Sequence, residues 1–245
     1  VTPPARGTPE LPIGVVGSGV VHRWDDVIDI ETRFRMVREA GVFDYYDRSP
    51  LPGEVDAYLR GSAATGLPIR AGGFYYTLGR DEALLDWHLR IAQACGAQVH
   101  NVQVMTHDAS GRVVTDDEVV AFYLRVAEAG DRVGVTPCFE VHVNMWSEHY
   151  GRVAKVGRAV ERRGVVFNMT LDHSHVIFKM DNAREQDVQG MRADVEAGRV
   201  ILDPYLPGNV VDEWIAANWV RHAHARATVP ANPVNVWARH PDGSY

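Results

Sequence analysis

Two cysteines in 245 residues leave the chain without a disulfide framework. Cys95 and Cys138 lack the spacing of a metal-binding pair and that of a disulfide scaffold, and each borders or sits within an apolar stretch. Both therefore read as buried small apolar residues. No run approaches the roughly 20 apolar residues of a membrane span, and no charged-then-apolar signal segment opens the chain. A soluble, cytoplasmic protein without a membrane partner is expected. Positive charge is scarce: 25 Lys plus Arg stand against 32 Asp plus Glu, a formal net charge of −7. A phosphate backbone attracts the opposite balance, so nucleic acid is not expected as the main partner. Missing too are a Pro/Ser-rich linker, a low-complexity tract and a charge block, which leaves one domain over residues 1–245 as the expectation.

What is present is alternation. Apolar, strand-like runs cover 13–17, 42–46, 67–76, 98–105, 135–143, 165–171 and 221–228. Between them lie segments with helical spacing or helix punctuation, at 25–40, 53–62, 80–94, 115–129, 150–162, 184–196 and 210–218. Thr115 followed by Glu118 has the form of a capping box. Repeated strand–helix units argue for a parallel sheet with helices outside it. Seven of them favour a (β/α)8 TIM barrel, which needs about 250 residues, over an open doubly wound sheet. The eighth strand is missing from the count, because residues 229–245 are rich in Pro, Asn and Asp.

In such a barrel the chemistry gathers at the C-terminal ends of the strands. The fifth strand runs into Glu140-Val141-His142-Val143-Asn144, and period two would set Glu140, His142 and Asn144 on one face. A carboxylate, an imidazole and an amide on a buried face are costly unless a cation or a hydrogen-bonded polar layer satisfies them. The sixth strand ends in Asp172-His173-Ser174-His175, with Asp172 pointing inward and His175 in the turn beyond it. Asp and His are common ligands of Zn2+ and Mn2+. The seventh strand carries His222-Ala223-His224-Ala225-Arg226, placing His222, His224 and Arg226 on one face. Asn101, Gln103, His107, His22, Asp44, Tyr46, Tyr75 and Tyr76 could line a pocket, Trp24 and Trp146 could stack on a sugar, and Glu148 is a second carboxylate near the fifth strand.

Glu140 at strand five, the D-x-x-H of Asp172 and His175 at strand six and the H-x-H of His222 and His224 at strand seven resemble the xylose-isomerase-like barrels. That group includes sugar isomerases and epimerases, inosose dehydratases and family 2 apurinic endonucleases. The resemblance implies a divalent cation, Mn2+ first with Mg2+, Co2+ and Zn2+ as alternatives, held by Glu140, Asp172 and His224, with His222 an alternative to His224. It implies that His175 and Arg226 bind substrate oxygens. In the family a strand-eight glutamate completes the cation site, and no residue here matches it. Keto-sugar epimerases of this type carry a second glutamate six residues after the first, a position held here by Trp146. His142 then becomes the expected base, with Glu148 the other acid–base residue.

The E-x-H arrangement of Glu140 and His142 is similar to that of the catalytic subunit of bacterial C-glycoside deglycosidases. These cleave the carbon–carbon bond between a 3-oxo sugar and an aromatic aglycone and work with a small partner subunit. The resemblance thus implies proton abstraction beside an ion-bound oxygen of a carbohydrate or glycoside, leading to isomerisation, epimerisation or elimination. A homo-oligomer or a complex with a small partner is expected. Metal-dependent endonuclease chemistry needs three metals and basic loops, which the charge balance disfavours. A barrel that has lost its metal and serves as a scaffold is the remaining reading.

Overall fold

A computed structural model of the chain describes residues 11–20, 27–188 and 190–226. Strand β1 (Gly14–Val16) pairs in parallel with β2 (Tyr45–Asp47), and β2 with β3 (Ile69–Tyr76). Strands β4 (Val99–Val104), β5 (Thr136–Glu140), β6 (Met169–Asp172) and β7 (Val220–His224) continue the order, each parallel to the next. Helices α1 (Ile30–Ala40), α2 (Val55–Thr65), α3 (Glu82–Ala94), α4 (Asp116–Val133) and α5 (Tyr150–Glu161) follow the first five strands in turn. The β6–β7 connection holds four shorter helices, α6 (His173–Ile177), α7 (Ala183–Val188), α8 (Arg192–Glu196) and α9 (Val210–Ala216). Seven parallel strands in sequence order with helices between them are the repeat of a (β/α)8 barrel, without an eighth strand among the described residues. No helix of the described residues is long and apolar enough to cross a membrane.

The chain divides into two compact units, residues 1–72 with 91–98 and residues 73–90 with 99–245. In the first, Phe34 of α1 stacks on Tyr46 of β2 with ring centroids 4.3 Å apart, and Tyr58 of α2 meets both rings edge-on. Gly61 makes this possible, since a Cβ there would lie 2.7 Å from the Phe34 ring. In the second unit Tyr123 of α4 packs between Phe139 and Phe167, at 4.7 and 4.9 Å. Burying each such phenylalanine contributes on the order of 2–3 kcal/mol. The capping box at Thr115 and Glu118 starts α4, which runs past the expected end to Val133 and stops at Gly134 in the left-handed region.

Several elements depart from the sequence-based expectation, among them β7, which ends at His224 rather than continuing through Arg226. The fifth strand ends at Glu140 instead of continuing to Val143. Ser147 Oγ donates to Glu140 O and accepts from the His142 N–H, and Asn144 takes a positive φ of 66°, so a tight loop replaces the ladder. His142 and Asn144 consequently do not share a strand face with Glu140. The helix expected over 184–196 breaks into α7 and α8 around Gly190, whose φ is 64°. His175, expected in a turn, lies within α6, which Asp172 caps by accepting from the Ser174 N–H. The start of the first expected helix at Asp25, with His22 and Trp24, lies outside the described residues, as does the end of the seventh expected strand beyond Arg226.

A buried polar chain lies in the second unit. The Tyr76 hydroxyl is 2.8 Å from His88 Nδ1 and 2.6 Å from His100 Nε2, and all three side chains are at most 1% exposed. The hydroxyl has one proton, so it donates to one imidazole and accepts from the other. Burial pushes the His88 imidazole down to about 4. An unfolded histidine takes up its proton near 6.5, so between about pH 6.5 and 4 the unfolded chain holds more protons and acid favours unfolding. Stability should therefore fall as pH drops through this window in urea titrations, and His88→Phe should reduce that slope; an unchanged slope in the variant would contradict the assignment. Tyr76→Phe, which takes the shared hydroxyl away from two buried imidazole nitrogens, should cost about 1–3 kcal/mol.

Candidate functional site

The site grows from Glu140, the last residue of β5, which is 1% exposed. Its Oε2 accepts from the side-chain amides of Asn101 and Gln103, inward-facing residues of β4. Asn101 has room because Gly73 stands beside it on β3; a Cβ at residue 73 would lie 2.4 Å from Asn101 Cβ. With Oε2 so held, Oε1 faces His224 Nδ1 of β7 at 3.1 Å.

Asp172, the last residue of β6, is fully buried. Its Oδ1 accepts from the Ser174 N–H and hydroxyl. Its Oδ2 meets His175 Nε2 at 3.3 Å, His224 Nδ1 at 3.8 Å and Arg226 Nη2 at 2.8 Å. None of these contacts meets hydrogen-bond geometry, and Arg226 is the permanently charged partner of this buried carboxylate oxygen. Alternation along β7 turns His222 and His224 to the same side, with ring centroids 5.0 Å apart and exposed Ala223 between them.

His142 sits in the loop after β5. Its Nδ1 donates to Val143 O at 2.6 Å, which leaves the lone pair on Nε2, and its ring lies 4.0 Å from that of His175. Glu148, expected as an acid–base residue, is engaged in the core. Its Oε1 accepts from Lys179 Nζ at 2.7 Å and its Oε2 from the Asn144 N–H at 2.7 Å. Lys179 is fully buried and also lies 3.6 Å from Glu185 Oε2. This ion pair ties the His142 loop to the segment after α6, and the Tyr150 hydroxyl adds a second tie by donating to His175 O.

The electrostatics follow from burial and partners. Burial raises the Glu140 carboxyl, but the hydrogen bond and charge of His224, with His142 and Gln103, outweigh it and hold the group below its ordinary value. Asp172 behaves likewise: burial raises it, and His175, Ser174 and Arg226 hold it far below the usual carboxylate range. Burial first and neighbouring His175 second push the His142 imidazole down, against the pull of Glu140. The downward shift favours the neutral imidazole, the form that can accept a proton.

Glu140, Asp172, His224, His175, His142 and Arg226 are thus brought together, whereas the other expected residues take different positions. Trp146, expected on the substrate wall, is 1% exposed and packs against Phe139 at 6.5 Å. His107 is exposed in the loop after β4, bridged to Val113. Lys179 escaped the sequence reading, although a lone lysine within Val176-Ile177-Phe178-Lys179-Met180 was a signal that its charge is buried and paired.

Two carboxylates and an imidazole suit a divalent cation. Glu140, Asp172 and His224 each offer a donor atom within 4.8 Å of the others, as do Glu140, His142 and His175. The unaligned Asp172 Oδ2 is the kind of buried oxygen that a cation satisfies.

No protein-family model matches the sequence, and no curated protein does. Solved structures do match. D-psicose 3-epimerase from Clostridium cellulolyticum H10 with D-tagatose superposes with a TM-score of 0.53 at 16% identity, over 68% of this chain and 65% of that one, so the chain spans about two thirds of that epimerase. D-allulose 3-epimerase from Methylomonas sp. in complex with D-allulose gives a TM-score of 0.55 at 15% identity, over 91% and 86%. The IolI protein with a bound zinc atom gives 0.53 at 12% identity, over 71% and 67%. At such identities the likeness is one of fold: the chain shares the TIM-barrel fold of these proteins.

Proposed function

We propose that the chain is a divalent-cation-dependent enzyme that isomerises or epimerises a sugar or polyol by removing a proton from a carbon next to a substrate oxygen. The observation that carries this is the convergence of Glu140, Asp172 and His224, from the ends of three neighbouring strands, within 4.8 Å of one another. These three would hold the cation, and hard carboxylates with one imidazole suit Mn2+, with Mg2+, Co2+ and Zn2+ also accommodated. The epimerase neighbours, and the zinc in IolI, lend support on the same fold. When bound, a divalent cation supplies Lewis acidity towards adjacent substrate oxygens.

The chain's own residues supply the rest. His142 Nε2 takes the proton, since its Nδ1 is committed to Val143 O. His175 and Arg226 hold the developing negative charge on oxygen, and His222 borders the same side of β7. Asn101 and Gln103 fix Glu140, while Ser174 fixes Asp172. The substrate is a small carbohydrate or glycoside.

One observation favours a second reading, carbon–carbon cleavage of a 3-oxo-C-glycoside with a small partner subunit. The position of the second epimerase glutamate is Trp146, buried in the core, and Glu148 is occupied by Lys179. Proton transfer then falls to an imidazole, as the Glu140–His142 resemblance implies.

Protein loaded with Mn2+ and desalted should retain about one equivalent by elemental analysis, and Glu140→Gln should retain none while keeping its circular dichroism; equal metal content in the two would remove the site. In D2O the enzyme should introduce deuterium next to the carbonyl of a ketohexose from a panel, and His142→Asn should slow this at least about 100-fold. Exchange at the wild-type rate in that variant would exclude His142 as the base. Absence of exchange together with aglycone release from a 3-oxo-C-glucoside would select the second reading.

A further inference from the structure

Arg226 stands on the wrong side of the charge balance for a residue that merely assists a cation. Its Nη2 lies 2.8 Å from Asp172 Oδ2. The other oxygen of Asp172 is saturated by the Ser174 N–H and hydroxyl. Oδ2 is therefore the oxygen that Asp172 can offer to a cation, and the guanidinium sits on it. Glu140 shows the same division of labour, with Oε2 held by two amides and Oε1 turned towards His224. The difference is that the partner on Asp172 carries a full positive charge.

We infer that Arg226 competes with the divalent cation for Asp172 Oδ2 and so sets how tightly the site loads. This rests on the cation reading above. Two like charges at one oxygen repel, and a +2 ion beside a guanidinium meets the stronger penalty. Arg226 can yield, because its side chain is 52% exposed while Asp172 is fully buried. A cation that takes Oδ2 releases the guanidinium, which is then free for an anionic oxygen of the substrate. Binding of such an anion in turn lowers the competition for Oδ2, so cation and substrate anion favour each other by linkage. Arg226 is in this sense a gate on loading, distinct from the fixed supports Asn101, Gln103 and Ser174.

The sign of one variant tests this. Mn2+ dissociation constants would be measured by electron paramagnetic resonance at fixed pH and ionic strength for the wild type, Arg226→Ala, Arg226→Lys and Glu140→Gln. The expected result is about tenfold tighter binding in Arg226→Ala, little change in Arg226→Lys and loss in Glu140→Gln. Arg226→Ala should keep the wild-type circular dichroism spectrum, because the residue is half exposed, while its metal-free form melts earlier, because Asp172 Oδ2 loses its nearest counter-charge. Wild-type binding with unchanged or weaker affinity in Arg226→Ala overturns the competition and leaves the cation site standing. Binding by neither protein overturns both, and binding by Arg226→Ala alone supports the competition in its strongest form.

Discussion

Two carboxylates, Glu140 and Asp172, end neighbouring strands with almost no exposure to solvent, and one imidazole nitrogen lies between them. Taking an ionised carboxylate out of water costs several kcal/mol even after relaxation, and bringing two together adds repulsion. The chain answers in two ways. On each acid one oxygen is tied by neutral donors, and the other faces positive or protonatable groups: His224 for Glu140, and His175, His224 and Arg226 for Asp172. The concentration of negative charge at one strand-end locus is what the cation proposal explains.

Much of the surrounding architecture serves that locus. Gly73 opens the space that Asn101 occupies, and Asn101 steers Glu140. Ser147 closes the loop after β5 so that His142 turns back beside His175 rather than continuing along the strand. The fully buried Lys179–Glu148 pair holds that loop from behind through the Asn144 N–H. Breaking such a buried pair exposes an uncompensated charge to the core, a cost of about 3–5 kcal/mol. The loop bearing the proposed base is therefore anchored by charge on one side and by tight backbone turns on the other.

The strands were legible because each is a short apolar run bounded by glycine or polar residues, and the acidic and histidine-rich strand ends were legible because they interrupt those runs. The capping box at Thr115 placed the start of α4 for a local reason that sequence carries well. Period-two reasoning held for His222 and His224, where pairing with β6 keeps the chain extended, while Arg226 lies beyond the end of the strand. It failed after Glu140, where a serine 7 residues later captures the backbone and a non-glycine residue adopts a positive φ. The engagement of Glu148 was not legible for a related reason: its partner Lys179 is 31 residues away, and no local pattern announces a pairing at that distance. Trp146 likewise looked like a sugar platform, but it is 1% exposed and meets Phe139 edge-on within the core.

Anomalous scattering from crystals soaked with Mn2+ locates the bound ion directly. The account predicts a single strong peak bounded by the carboxylates of Glu140 and Asp172 and the imidazole of His224, with His142 outside the coordination sphere. A peak centred instead on His142 and His175, or none within reach of Asp172, would contradict it.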